Sequence, residues 1–223
     1  MKKKKEKQLK DYNTVANFLM SGDSKEVEEF AKHLNWKKFT EDNYKFMSIE
    51  FIRKYKDYID WEYICENQTL SEEFIREFQD KWDWIQISRC QKLSEDFMRE
   101  FQDKVEWCVI SVYQTLSEDF IREFQDKLDW GEISYYQTLS EDFIREFQDY
   151  VDWFWISMKQ KLSEDFMREF QDKWDWENIT QYQTLSEDFI REFQDKLNWY
   201  DVTTFQKLSE DFIREFNLDE YYF

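Results

Sequence analysis

LSEDFIREFQDKLDWGEISYYQT, residues 116–138, decides the architecture because it recurs. A Leu-Ser-Glu start falls at Leu70, Leu93, Leu116, Leu139, Leu162, Leu185 and Leu208, each 23 residues after the last. Met47 opens a looser copy, MSIEFIRKYKDYIDWEYICENQT, one step earlier. A fixed period of about 20 to 50 residues marks a stacked array, in which no copy buries its apolar face alone.

Inside the quoted copy, Phe120, Ile121, Phe124 and Leu128 do not alternate as a strand requires, so the pattern is helical. Ser117 is placed to cap a helix. Glu118 and Asp119 occupy its first turn, where the helix dipole favours negative charge. Leu116 and Ile121 have the spacing of a hydrophobic staple. The first helix is predicted over 118–127. Asp129 is the next N-cap, ahead of Trp130 and Ile133, and a short second helix is predicted over 130–137. Glu118 with Arg122, and Glu123 with Lys127, read as helical i,i+4 ion pairs. The expected fold is all-α, an α-solenoid of tandem 23-residue helix-turn-helix repeats with N- and C-terminal caps.

Working outward, seven complete repeats occupy 47–207 and a half repeat occupies 208–223. The tail is expected to cover the last open face with Leu218, Tyr221, Tyr222 and Phe223. Residues 11–46 read as a degenerate capping repeat, two residues out of register. One helix is expected over 11–19. After Gly22 a second is expected, N-capped by Asp23 and closed at Trp36. Lys2–Lys5, Lys7 and Lys10 lie in a basic, flexible arm over 1–10 that lacks the apolar run of a signal peptide.

Proline is absent and the glycines are Gly22 and Gly131, which excludes collagen-like and Gly/Pro-rich disordered classes. No segment approaches the ~20 apolar residues of a membrane span, so a cytoplasmic protein without membrane attachment is expected. Cys65, Cys90 and Cys108 lack CxxC spacing and read as separate reduced thiols. With His33 the sole histidine, neither a zinc set nor a Cys-His or Ser-His-Asp arrangement is expected. Phosphate loops of the GxxxxGK[ST] or GxGxxG type are absent, and the acids lack EF-hand spacing. Carboxylates identical in every copy build structure rather than one tuned catalytic site. No enzyme activity, cofactor or metal is therefore expected.

The net charge of −19 is uneven. Residues 1–46 hold 11 Lys against 8 Asp and Glu, which leaves 20 Lys and Arg against 42 Asp and Glu in residues 47–223. An array this acidic disfavours direct nucleic-acid or anionic-membrane binding and favours a basic protein partner. Stacking would align Asp103, Asp119, Asp126, Asp142, Asp149, Asp165 and Asp172 into acidic ladders. At ~6 charges per 10 Å, duplex DNA is about twice as dense in charge as these repeats. The ladders read either as an ordinary solvated face or as an imperfect DNA mimic.

Comparing the copies locates the variable surface. The positions one, two and five after each tryptophan change most. In the middle copies they carry Val109, Val112, Tyr135, Phe154, Trp155 and Met158. A face indifferent to stacking is expected to be exposed, and this composition suits a protein-binding surface. The alternatives are side chains folded over adjacent layers, or a self-association seam.

The motif LSEDFIREFQDKxDWxxIS at 116–134 resembles a tandem repeat of proteins from large DNA viruses, phages and AT-rich bacteria. The resemblance covers 47–216. It implies no assigned activity or site, and it favours a viral or mobile-element origin and hence a host cytoplasm. By analogy with small acidic proteins of such genomes, it points to an inhibitor of a host-defence protein that occupies a basic, nucleic-acid-binding surface. A general assembly scaffold working through the variable apolar face is the alternative.

Overall fold

The computed structural model describes residues 2–22 and 24–218, with side chains from residue 11 onward. Among the described residues the chain forms eighteen α-helices, one 3-10 turn and no strand. It divides into two compact bodies, Met1–Glu106 and Trp107–Phe223. Within each body successive 23-residue helix pairs stack as an α-solenoid.

The repeat at 116–138 shows how these letters make a helix pair. Ser117 caps the first helix, and its Oγ accepts the Phe120 amide at 3.2 Å. That helix runs Glu118–Glu123 and stops four residues short of the predicted end. Phe124 leaves helical geometry at φ −113° and ψ 24°. Its carbonyl then accepts two amides, Lys127 at 2.9 Å and Leu128 at 3.2 Å, which folds the chain into a turn and buries Leu128. Side chains satisfy the carbonyls freed there: Gln125 Nε2 donates to Arg122 O, and Trp130 Nε1 donates to Gln125 O. Gln and Trp thus serve as a C-terminal cap, so the turn needs no left-handed glycine. Asp129 caps the second helix, Trp130–Tyr136, by accepting the Glu132 amide at 3.1 Å.

Both helices bury one stripe. Phe120, Ile121, Ile133 and their equivalents in the other repeats of the second body, through Phe189, Ile190 and Val202, are fully buried. The tryptophan that opens each second helix lies against the next repeat: Trp130 stacks on Phe143 and Phe147, and Trp176 on Phe189 and Phe193.

Layers are also sewn by buried polar groups. Gln137 Nε2 donates to Gln114 O at 2.8 Å and Ser111 O at 3.0 Å, while its Oε1 accepts the Leu116 amide at 3.0 Å. Gln160, Gln183 and Gln206 repeat all three bonds one layer on, and Gln91 repeats them in the first body. Ser111, Ser134 and Ser157 each accept the amide of the acid that caps the following second helix. Among the described residues no buried side-chain nitrogen or oxygen lacks a partner.

The leading region departs from expectation in three ways. α1 runs Lys2–Met20, so the basic stretch is helical backbone where a flexible arm was expected. α2, Lys25–His33, is capped by Ser24, whose Oγ accepts the Val27 amide; Asp23, the expected cap, lies outside the described residues. Trp36 opens α3, Trp36–Asn43, instead of closing α2, because Asn35 caps a new helix there. Trp36 Nε1 still donates five residues back, to Ala31 O, as the repeat tryptophans do. At the other end Leu218 is buried; Tyr221, Tyr222 and Phe223 lie outside the described residues.

Replacing Gln137 by Ala strands three buried backbone groups. Each orphaned group costs about 1–3 kcal/mol, so Gln137→Ala is expected to destabilise the chain by about 3 kcal/mol or more in urea unfolding. The exposed neighbour Thr138→Ala should change stability by about 0.5 kcal/mol at most.

Candidate functional site

The predicted variable face lies entirely in the second body. It is less open than its sequence variation implied. Phe154 is 45% exposed. Val109, Val112, Tyr135, Trp155 and Met158 are half-buried, which corrects the expectation of an exposed face. Second helices of adjacent layers contact one another, so the positions two and five after the tryptophan turn sideways onto neighbouring layers. Trp155 meets Tyr135 edge-on, with ring centroids 4.6 Å apart at 87°, and Phe154 meets Trp155 at 4.8 Å. Tyr135 also carries Lys159 Nζ 4.2 Å from its ring centroid. The face is a connected aromatic cluster with Phe154 as its outermost ring.

One column escaped the sequence reading. Six positions after the tryptophan stand Tyr113, Tyr136, Tyr182 and Phe205, each at least half exposed. The available signal was aromatic recurrence between a buried Ser or Thr column and a buried Gln column, where no core slot exists for a ring.

The acidic ladders fall into two sets. Asp119, Asp142 and Asp165 extend into solvent at 94%, 94% and 96% exposure, each accepting from the Arg of its own repeat. Asp103, Asp126, Asp149 and Asp172 lie exposed at the turns. Lys196 of the following repeat reaches Asp172 at 3.5 Å; above Asp126 the equivalent position is Tyr150 and offers no cation.

The expected i,i+4 pairs are not the main ion pairs. Arg122 lies 3.9 Å from Glu118 but 2.8 Å from Glu146 in the next repeat. Arg145 with Glu169, and Arg168 with Glu192, follow the same rule at 2.8 Å. The helix ends at Glu123, so Lys127, four residues later, lies beyond it in the turn. Each of these Arg side chains is only about one third exposed. Hydrogen bonding to the next repeat's Glu raises the affinity of Arg122 and Arg168 for their protons. The cations are thus drawn in between layers while Asp carboxylates project outward.

His33, exposed on α2, lies 3.4 Å from the Glu29 carboxylate. Among the described residues no group of three His, Cys, Asp or Glu is placed to hold a metal, and no helix is long and apolar enough to cross a membrane. Compared with protein-family models, curated proteins and solved structures, the chain matches none.

Two measurements probe this surface. Glu187, hydrogen-bonded by the Ser209 amide, and Glu215, hydrogen-bonded by Arg191, are both held below the ordinary glutamate value of 4.5. A depressed folded pKa means stability is complete above the unfolded value and lost as pH falls through the folded one. Urea midpoints should therefore stay level from pH 7 to about 5 and decline below about 4.5. Burial pushes the Cys65 thiol up to about 12, whereas Cys90 and Cys108 are exposed. A thiol-disulfide reagent is expected to modify Cys90 and Cys108 in the folded chain, and Cys65 only after denaturation.

Proposed function

We propose that the chain is a non-enzymatic acidic solenoid whose ligand is a partner protein with a basic surface. Its most specific form is an inhibitor that covers the nucleic-acid-binding surface of a host-defence protein, acting in the host cytoplasm. The separation of charge carries this reading. Arg122, Arg145 and Arg168 are engaged with the next layer, while the paired Asp119, Asp142 and Asp165 remain more than nine-tenths exposed. A positively charged groove approaching the array therefore meets carboxylates first and the compensating guanidinium groups behind them. The field need not copy DNA charge for charge to compete with it, because a groove built for phosphates responds to the density of negative charge it meets.

The aromatic cluster around Phe154 and Trp155 supports a second reading, an assembly scaffold that binds through apolar contact. Salt separates the two. A partner captured from host extract and held by the ladders should lose about tenfold or more in affinity as salt rises several-fold, and duplex DNA should displace it. Asp119→Asn, Asp142→Asn and Asp165→Asn combined should weaken such a complex further. A complex that ignores salt and DNA but is lost with Phe154→Ala plus Trp155→Ser belongs to the scaffold reading, and it would overturn the inhibitor reading.

A further inference from the structure

Gly131 opens a recess in the second-helix face. The same position carries Cys108 and Phe154 in the flanking repeats, so only this layer lacks a side chain there among the three. The resulting cavity, about 250 Å³, is lined by Gly131, Glu132, Tyr135, Tyr136 and Trp155. Its rings are mutually crossed, with Tyr135 at 87° to Trp155 and 65° to Tyr136, so edges and faces of several rings border one space.

Glu132 adds charge to this aromatic wall. It is half-buried, its backbone amide is used by the Asp129 cap, and its carboxylate makes no hydrogen bond or ion pair among the described residues. Ring faces attract cations, and a carboxylate beside them supplies the opposite charge. Lys159 Nζ lies 4.2 Å from the Tyr135 centroid, which shows that this ring accepts a cation and that an incoming one must displace Lys159 or use the other rings.

We propose that this recess binds an arginine side chain of the basic partner. A guanidinium is planar and weakly hydrated, so it can lie against a ring while its edge donates paired N–H bonds to one carboxylate. An ammonium is more strongly hydrated and points three donors in divergent directions, for which Glu132 is a single acceptor. The proposal rests on the reading that the partner is a basic protein and names the contact that orients it.

The chain's two glycines make the test direct. With glycine labelled by 15N, the full chain gives backbone signals from Gly22 in the first body and from Gly131, which lines the recess in the second. N-acetyl-arginine amide is expected to move the Gly131 signal saturably and leave Gly22 unchanged. The citrulline amide, of the same shape but uncharged, should move neither. Lysine and trimethyl-lysine amides should bind about tenfold more weakly, as should arginine amide to Glu132→Gln, whose intact fold is checked by an unchanged urea midpoint. A Gly131 signal that ignores arginine, follows citrulline equally, or prefers trimethyl-lysine overturns the assignment. That failure, with salt-sensitive partner capture intact, removes the recess alone. Arginine binding without any captured basic protein removes the partner reading instead.

Discussion

The buried glutamine that ends each second helix is the constraint on which the stack depends. One side chain satisfies three backbone groups, two carbonyls of the preceding layer and the amide that opens its own, as Gln137 does for Ser111, Gln114 and Leu116. The two carbonyls lie in the last turn of the helix Trp107–Tyr113 and just beyond it, where no later helical amide reaches them. A buried amide with all its bonds made holds its layer in one register, because any slip would strand several polar groups at once. The serine column locks a second point of each layer, and between these the aromatic stripe supplies apolar burial.

The same interlayer logic governs charge. Arg122 reaches forward to Glu146, packs 4.9 Å over the buried Phe143 ring, and pairs with the more exposed Asp119 of its own repeat. Cations are consumed in joining layers, and carboxylates are left as the outer face. The most exposed charges of these repeats, Asp119, Asp142 and Asp165, are thereby carboxylates. The variable second-helix face is superimposed on this regular frame, and Gly131 is the point at which one layer's absent side chain becomes a shape.

Much of this was legible in the letters. The period, the helix pair, the Ser117 and Asp129 caps and the buried Phe120, Ile121 and Ile133 all follow from local patterns that any copy displays. The first helix was overestimated because Phe124 and Leu128 continue the helical spacing even though the chain between them forms a turn. Both residues are buried either way, so apolar spacing could not tell helix from turn. Trp36 was assigned to the end of α2, although Asn35 stands before it as Asp129 stands before Trp130 and caps a new helix in the same way.

The sequence by itself determined the repeat, the helical class, the caps and the acidity, since these depend on residues within a few positions of each other or on composition. Only the tertiary structure decided which residues interact across layers. The partners of Gln137 lie 21, 23 and 26 residues away, and that of Arg122 lies 24 away. Contacts at that separation exist only once helices are stacked, so Arg122 bonds the next layer's Glu146 more closely than its own Glu118. For the same reason Tyr135, Tyr136 and Trp155 enclose a recess that no single repeat contains. Packing brings the next copy's Trp155 onto the copy that lacks a side chain at Gly131, and periodic spacing within a copy carries no record of it.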